Sequence, residues 1–161
     1  MAETNSEKEV VADYPRPPAL VECSDHVLVR GLGVVICETR RPLRVLETFH
    51  PPTYYLPPED MQLQLLVPGG GRSFCEWKGW ASYWNLEVGD QRLERAIWQY
   101  KNPTAAFAAL AGWFALYPGR MDGCWVNGEA VIPQPGGFYG GWITSRVVGP
   151  FKGDPLYPQL V

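Results

Sequence analysis

The alternation of apolar and polar residues changes along the chain and predicts mainly short β-strands. Between residues 26 and 47, three apolar runs are separated by turns at Gly31-Leu32-Gly33 and Arg40-Arg41-Pro42, which predicts a meander. A clearer alternation runs from Ala81 to Val88 and resumes from Arg92 to Tyr100. Because a Gly-Asp turn separates these last two runs, they predict an antiparallel hairpin.

One segment has the features of a longer helix. Asn102 can cap its first turn, Pro103 suits its first position, and Pro118-Gly119 stops it. The segment from 103 to 116 is rich in alanine and apolar on every side. Since such a helix must be covered on both sides, we expect it to pack across the sheet.

The last third of the chain returns to β-structure. Asn127-Gly128 is a strong hairpin signal between two short apolar runs. A loop rich in glycine and aromatic residues follows over residues 133 to 142, and residues 143 to 148 predict a last strand. The expected fold class is therefore α+β, mostly antiparallel β with one main helix packed on the sheet.

Length and composition favour a single domain with two terminal extensions. The chain has 161 residues, of which 46% are hydrophobic, and this is enough for one core. The 17 glycines and 16 prolines together make 33 residues, about 20%, which disfavours a helical bundle. We expect a Pro-rich extended arm over residues 1 to 24, a β-rich domain over 25 to 149 and a tail over 150 to 161.

Charge and cysteine usage narrow the classes of partner. The net charge of −3 and the pI of about 5.4 lack the basic footprint of a nucleic-acid-binding protein. The longest apolar run, Ala105 to Tyr117, is too short to cross a membrane. The N-terminus has no apolar segment of the secretory type, so we expect a cytoplasmic protein with reduced thiols. The sequence does not indicate an oligomeric state.

The sequence predicts neither a metal centre nor a cofactor. Its four cysteines are scattered, at Cys23, Cys37, Cys75 and Cys124, and no C-x-x-C pair occurs. Structural zinc sites usually combine such close pairs. We therefore expect no tightly bound zinc.

Two short segments carry side chains that are suited to chemistry. In Cys75-Glu76-Trp77-Lys78, the ammonium of Lys78 could favour the thiolate of Cys75, or the cysteine could simply be a buried strand residue. The segment Tyr54 to Asp60 places two tyrosines and the carboxylates of Glu59 and Asp60 between prolines. These acids could act as acid and base or hold magnesium, or they could merely begin a helical turn.

Two Gly-rich stretches are weaker candidates. Gly69-Gly70-Gly71-Arg72-Ser73 offers backbone N–H groups and one cation, but it lacks the P-loop pattern and a following helix. A flexible loop is the simpler interpretation. In the stretch from Gly136 to Trp142, the glycines would let aromatic rings lie flat against either the domain's own core or a ligand.

Taken together, these stretches resemble one family. The matching motifs are Leu43-Arg44-Val45-Leu46-Glu47-Thr48, Tyr54-Tyr55-x-Pro57-x-Glu59-Asp60, Cys75-x-Trp77-Lys78-Gly79-x-Ala81-x-Tyr83, Trp98-x-Tyr100-x-x-Pro103 and Tyr117-Pro118. This set resembles the domain-of-unknown-function 427 family over residues 26 to 122. Residues 133 to 142, PQPGGFYGGW, look like the C-terminal extension of a longer subgroup.

The resemblance implies a compact β-tent-like fold with one helix, and the family's other name implies a nucleotidyltransferase. The usual signatures of such an enzyme, a Gly-Ser followed by an Asp-x-Asp metal pair, are absent from this sequence. The family motif usually has proline where Glu76 stands here. That proline indicates a turn within Cys75 to Lys78, which the two side chains need in order to share a side.

The favoured function is binding of a small polar or anionic ligand, of the nucleotide or sugar-phosphate type, in an aromatic-lined pocket. Lys78 would bind the anionic group. In an enzymatic version, Cys75 or Glu59 would react and Lys78 would stabilise charge. The ring faces would come from Tyr54, Tyr55, Trp77, Tyr83, Trp98 and Tyr139. The alternatives are a protein-interaction module that uses exposed aromatics and the Pro-rich arm, or a non-catalytic structural domain.

Overall fold

A computed structural model describes residues 7 to 160 and gives them a mostly β architecture. In chain order the strands are β1 (Glu9–Val10), β2 (Ala19–Glu22), β3 (Val27–Gly31), β4 (Val34–Thr39), β5 (Leu43–Leu46), β6 (Thr53–Tyr55), β7 (Leu66–Cys75), β8 (Gly79–Val88), β9 (Gln91–Gln99), β10 (Phe114–Leu116), β11 (Gly123–Val126), β12 (Glu129–Ala130), β13 (Ile132–Pro133), β14 (Trp142–Ile143) and β15 (Val147–Val148). Short 3₁₀ turns cover Val11–Asp13, Pro58–Asp60, Leu63–Leu65, Ala105–Leu110 and Pro118–Arg120.

The strands form three main sheets and two short pairs. The orders are β10-β9-β8-β7, β12-β11-β3-β4 and β2-β5-β6, and all of these neighbours are antiparallel. The pair β13-β14 is also antiparallel, whereas β1 and β15 pair in parallel. The β8–β9 hairpin confirms the prediction made from alternation. The predicted three-strand meander is wrong in its third strand, because β3 and β4 pair with each other whereas β5 pairs with β2 and β6.

The main core lies between the first two sheets. Its fully buried members include Ile36, Leu86, Ile97 and Trp142. A second cluster surrounds Tyr55, Phe107 and other residues from β5, β8 and β10. Burial of large apolar side chains of this kind stabilises the fold by about 1.5–3 kcal/mol each.

The prediction of a main helix over residues 103 to 116, and with it the α+β class, is wrong. The longest helical segment among the described residues is the six-residue 3₁₀ turn Ala105–Leu110, which is itself kinked at Phe107. Gly112 then adopts a φ of +80°, and Phe114–Leu116 extends along β9. A short alanine-rich helix is marginal on its own, and here pairing of the last residues with a neighbouring strand outweighs it.

The prediction of a loop at Gly69 to Ser73 is also wrong, since these residues lie within β7. The register of β7 against β8 shifts between Pro68 and Arg72, and the glycines accommodate this irregularity. The Asn127-Gly128 hairpin is confirmed, with positive φ at both residues. The helical turn predicted near Glu59 is present as Pro58–Asp60.

Segments near both ends of the described chain pack on the core. Strand β2 pairs with β5, and Val11 and Tyr14 are buried beside Val147. Near the other end, the N–H of Lys152 donates to the carbonyl of Phe49 over 2.8 Å. None of the helical segments in residues 7 to 160 has the length and apolar character needed to cross a bilayer.

Candidate functional site: an aromatic cavity

A cavity of about 530 Å³ lies between the β7–β8–β9 sheet, the segment that precedes β6, and the segment from 138 to 152. Its walls carry most of the aromatic residues predicted for the site. The aromatic lining comprises Tyr55, Phe74, Trp77, Tyr83, Trp98, Tyr100, Tyr117, Phe138 and Tyr139. A volume of this size is typical of small-molecule sites.

Strand alternation explains the ring-lined wall. Residues two apart in an extended chain face the same side, so Trp98 in β9 and Tyr100 just after it both reach the cavity. The ring of Trp98 lies 4.7 Å from that of Tyr117, and its Nε1 donates to Oη of Tyr55 over 3.3 Å. These contacts fix the orientation of the rings in this wall.

The turn between β7 and β8 places Cys75 and Lys78 at the same cavity. Strand β7 ends at Cys75, residues 76 to 78 form a turn, and Cys75 pairs with Gly79 at the start of β8. A φ of +103° at Gly79 favours glycine at this position. The turn expected within Cys75 to Lys78 is therefore confirmed, although Glu76 stands in place of the family's proline.

Lys78 is half-buried among aromatic rings. Its Nζ lies 5.7 Å from the centre of the Tyr100 ring and 5.8 Å from that of Phe107. No carboxylate in the part of the chain that the structure describes lies within 4.0 Å of this ammonium group. A half-buried ammonium with ring neighbours and no carboxylate within 4.0 Å is suited to bind an anion.

Cys75 is half-buried beside Tyr100. Burial raises the pKa of Tyr100, and the neighbouring Tyr55 and Cys75 raise it further, so its hydroxyl stays protonated. His50 lines the same cavity, but among the described residues it makes no hydrogen bond to Cys75. The thiol therefore lacks the contacting base that cysteine nucleophiles usually have.

Tyr83 and Tyr139 line the cavity on two separate elements. Oη of Tyr83 lies 2.8 Å from Oγ of Ser73, and the guanidinium of Arg95 lies 4.1 Å from its ring centre. Tyr139 lies beyond β13, and its ring meets the His50 ring edge-on at 5.2 Å. Both rings are thus held by contacts with their neighbours.

Two of the predicted site residues lie elsewhere. Tyr54 points away from Tyr55, as strand alternation requires, and packs on Trp142 in the main core at 4.8 Å. The Glu59 side chain is 70% exposed and pairs with Arg41 at 3.0 Å. Neither residue lines the aromatic cavity.

Sequence reasoning missed His50, Gln134 and Lys152. The Gln134 side chain is buried, with 4% exposure, and its Nε2 lies 3.1 Å from Nδ1 of His50. The same Nε2 donates to the carbonyl of Lys152 over 2.8 Å, and Oε1 accepts the N–H of Gly141 over 3.1 Å. Because His50 and Gln134 are 84 residues apart, no local spacing could have linked them.

The environment of His50 keeps its imidazole neutral. Burial lowers the pKa of His50 below its usual value. The carboxylate of Glu47 opposes this shift, while the ammonium of Lys152 and the guanidinium of Arg16 reinforce it. At neutral pH the ring therefore acts as a hydrogen-bonding group without a charge.

A second cavity, of about 390 Å³, is polar and already charge-paired. The guanidinium of Arg44 forms two hydrogen bonds with Glu9, at 3.0 and 3.1 Å, and Arg146 pairs with Asp25 at 3.0 Å. Cys23 lies beside Asp25, and burial raises its pKa to about 11. Both guanidinium groups of this cavity already have carboxylate partners, so the aromatic cavity is the stronger candidate site.

These observations define a β-rich domain with one aromatic, lysine-bearing cavity as its candidate site. Residues 19–127 match the family described as Domain of unknown function (DUF427), and the chain belongs to this family. The match contains the cavity residues from Tyr55 to Tyr117, whereas Gln134, Tyr139 and Lys152 lie beyond it. No curated protein matches the chain at a significant level.

Proposed function

We propose that the protein binds a small ligand that combines a flat ring with an anionic group, of the nucleotide or sugar-phosphate class, in the aromatic cavity. Ring faces from Trp98, Tyr117 and Tyr139 suit a planar ligand group. The half-buried Lys78 ammonium suits a phosphate or carboxylate. The observation that carries the proposal is this ammonium, which lies among aromatic rings and has no carboxylate within 4.0 Å among the described residues.

The ring-rich lining favours nucleotides over sugar phosphates within this class. Stacking of a base on an aromatic side chain contributes about 1–3 kcal/mol, and a sugar phosphate cannot gain it. We therefore take AMP as the first probe, with adenosine and ribose 5-phosphate as its two halves. We expect AMP to bind more tightly than either half.

The first prediction concerns Lys78. Lys78→Met should weaken AMP and ribose 5-phosphate at least tenfold but leave adenosine within about twofold, because only the first two carry the phosphate. Lys101→Met is the matched control, since the Lys101 ammonium lies 5.5 Å from the Trp84 ring, outside this cavity. Isothermal titration with the purified protein measures all three affinities.

Thermal unfolding checks that the Lys78 variant is folded and provides a second measure of binding. A ligand at about a hundred times its dissociation constant adds about 2.7 kcal/mol to the free energy of unfolding. The proposal fails if a panel of nucleotides and sugar phosphates produces no shift in wild-type melting. It also fails if Lys78→Met and Lys101→Met weaken AMP equally.

A second candidate function, an interaction surface for another protein, is favoured by three exposed aromatics. Phe74 and Trp80 are 61% and 51% exposed and lie 5.2 Å apart, and Phe138 is 76% exposed. Phe74 and Phe138 line the cavity edge, so a partner here would cover the opening. The variant Trp80→Ser separates the two functions, because Trp80 does not line the cavity and its loss should leave AMP affinity within about twofold.

A further inference from the structure

The orientation of the Gln134 amide is fixed by its two backbone partners. The N–H of Gly141 can only donate, so the side-chain atom that it meets is the carbonyl oxygen Oε1. The carbonyl of Lys152 can only accept, so the atom that faces it is Nε2. The amide thus presents an N–H, and not an oxygen, to Nδ1 of His50.

This contact selects one tautomer of His50. Because Nδ1 accepts a hydrogen bond, it carries no proton, and the neutral ring must hold its proton on Nε2. That nitrogen makes no hydrogen bond to any other described residue. In residues 7 to 160, Nε2 of His50 is not among the buried side-chain atoms that lack a hydrogen-bond partner, so this nitrogen is accessible.

His50 belongs to the walls of the candidate site. His50 lines the aromatic cavity, and with Lys78 it also lines an adjoining cavity of about 140 Å³. This smaller space is several times the roughly 30 Å³ that a water molecule occupies, so it admits a group of several heavy atoms. A residue with a neutral N–H donor and a residue with an ammonium group therefore line the same space.

The charges around His50 favour an acceptor there. Lys152 lies 5.5 Å from the ring of Tyr139, which itself contacts His50. Glu47 and Glu76 are the carboxylates that line the aromatic cavity, and Glu47 pairs with Arg16 at 3.7 Å. Because Arg16 offsets the negative charge of Glu47, the ammonium groups of Lys78 and Lys152 outnumber the one remaining carboxylate, Glu76, and favour an anion.

We propose that His50, oriented by Gln134, donates its Nε2–H to an oxygen of the ligand's anionic group while Lys78 neutralises that group. The inference rests on the proposed function, since it assigns the position of the anion within the same cavity. His50 is then a binding residue and Gln134 is a positioning residue. The ligand must present an unprotonated oxygen, as a phosphate or a carboxylate does.

The tautomer can be measured without any ligand. The chain has two histidines, and His26→Gln leaves His50 as the only imidazole in the ¹⁵N spectrum. We expect a protonated Nε2 and a bare Nδ1 at pH 7. Gln134→Glu should move the proton to Nδ1 or protonate the ring, because a carboxylate at that position accepts. A proton on Nδ1 in the unmodified site overturns the inference.

Two substitutions at His50 then test the contact with AMP. An asparagine at position 50 can accept the hydrogen bond from Gln134, but its side chain is too short to reach the position of Nε2. A glutamine at position 50 places an amide N–H near the position of Nε2. We expect His50→Asn to weaken AMP about tenfold or more, and His50→Gln to recover most of that loss. The matched control, His26→Gln, lies at the exposed hydrogen bond with Glu38 and should have no effect.

Failure of this inference differs from failure of the proposed function. If AMP binds the wild type but His50→Asn binds it equally well, the assignment of His50 is wrong and the ligand class stands. If AMP and the other nucleotides fail to bind the wild type, the proposed function falls and this contact falls with it. A shift of the Nε2 resonance on addition of AMP, together with the loss in His50→Asn, supports both.

Discussion

At the scale of single residues, the four cysteines have different environments. Burial raises the pKa values of Cys37 and Cys124 to about 12, and that of Cys23 to about 11. These three thiols remain protonated at pH 8 and react slowly. Cys75 is the thiol that lines the aromatic cavity, so it is the one through which a reagent can report on the site.

We predict that iodoacetamide labels Cys75 first at pH 8 and that saturating AMP slows this labelling at least threefold. Bound ligand would cover the half-buried thiol, and mass spectrometry of labelled peptides locates the modified residue. Cys75→Ser should abolish the fast phase and leave AMP affinity within about threefold. Fast labelling at Cys23, or a Cys75 rate that AMP leaves unchanged, would contradict the prediction.

At the same scale, Glu9 shows how charge pairing depends on pH. Burial alone would raise the pKa of Glu9, but hydrogen bonds from Arg44 and Tyr14 outweigh it and the pKa falls below its ordinary value. A carboxyl with a lowered pKa in the folded state stabilises the fold above its unfolded pKa. That stability is lost as pH falls through the folded pKa.

We predict that Glu9→Gln lowers the free energy of unfolding at pH 7 by about 1–2 kcal/mol, since it leaves the buried Arg44 guanidinium with a weaker acceptor. The difference from the wild type should shrink as pH falls below about 4.5, near the unfolded pKa of a glutamate. Glu59→Gln is the control, because its exposed pair with Arg41 contributes about 0–1 kcal/mol. Urea unfolding at several pH values measures both, and equal effects of the two variants would contradict the prediction.

At the scale of elements, the pattern of alternation predicted hairpins well, whereas composition predicted the alanine-rich segment poorly. The β8–β9 and Asn127-Gly128 hairpins are local structures, and their turns and strands are adjacent in the sequence. The segment from 103 to 116 has helical composition, but the conformation of its last residues is set by pairing with β9 and by the pairing of Phe114 with Leu56. Contacts between distant segments decided its structure, and composition does not contain them.

As with the secondary structure, the sequence predicted those parts of the candidate site that depend on local motifs and missed those that depend on contacts between distant segments. Cys75, Lys78 and Trp98 were found because they stand in motifs and on strands with clear alternation. Tyr54 was misplaced because adjacent strand residues face opposite sides, and only one of the pair Tyr54-Tyr55 could reach the cavity. His50 and Gln134 have no such signal, since their contact is formed only when the chain has folded.

The segment that holds Gln134 depends on a close approach of two glycines. Gly153 has a φ of +99°, and a Cβ there would collide with the carbonyl oxygen of Pro135. Gly136, with a φ of +100°, packs against the backbone of Gly153. This close approach of the two glycines brings Lys152 beside Gln134. The cavity wall that contains Lys152 therefore depends on the approach.

We predict that Gly153→Ala lowers the free energy of unfolding by about 3 kcal/mol and weakens AMP binding, because it separates Lys152 from Gln134. Gly137→Ala is the matched control. Gly137 also has a positive φ, of +68°, but a Cβ there meets nothing, so only about 1 kcal/mol should be lost. Thermal unfolding and AMP titration of the two variants measure the contrast, and equal losses would contradict the role assigned to this approach.

At the scale of the whole molecule, the cavity is shared between two parts of the chain. The family-matched residues 19–127 supply Lys78 and the Trp98 wall, and the segment beyond them supplies Tyr139 and Lys152. The second part reaches the first through the Gln134 contacts and through the N–H of Lys152, which donates to Phe49. The aromatic lining of the cavity therefore lies mostly within the family-matched residues, and the C-terminal segment adds one wall.

This sharing has a consequence for synthesis of the protein in the cell. The ribosome makes the chain from its N-terminus, and the Trp98 wall is complete long before Lys152 emerges. A nascent chain can fold its sheets but cannot yet close the site around a ligand. Under the proposed function, full affinity belongs to chains that have been made at least to Lys152, and an abundant ligand would selectively protect those from unfolding and proteolysis.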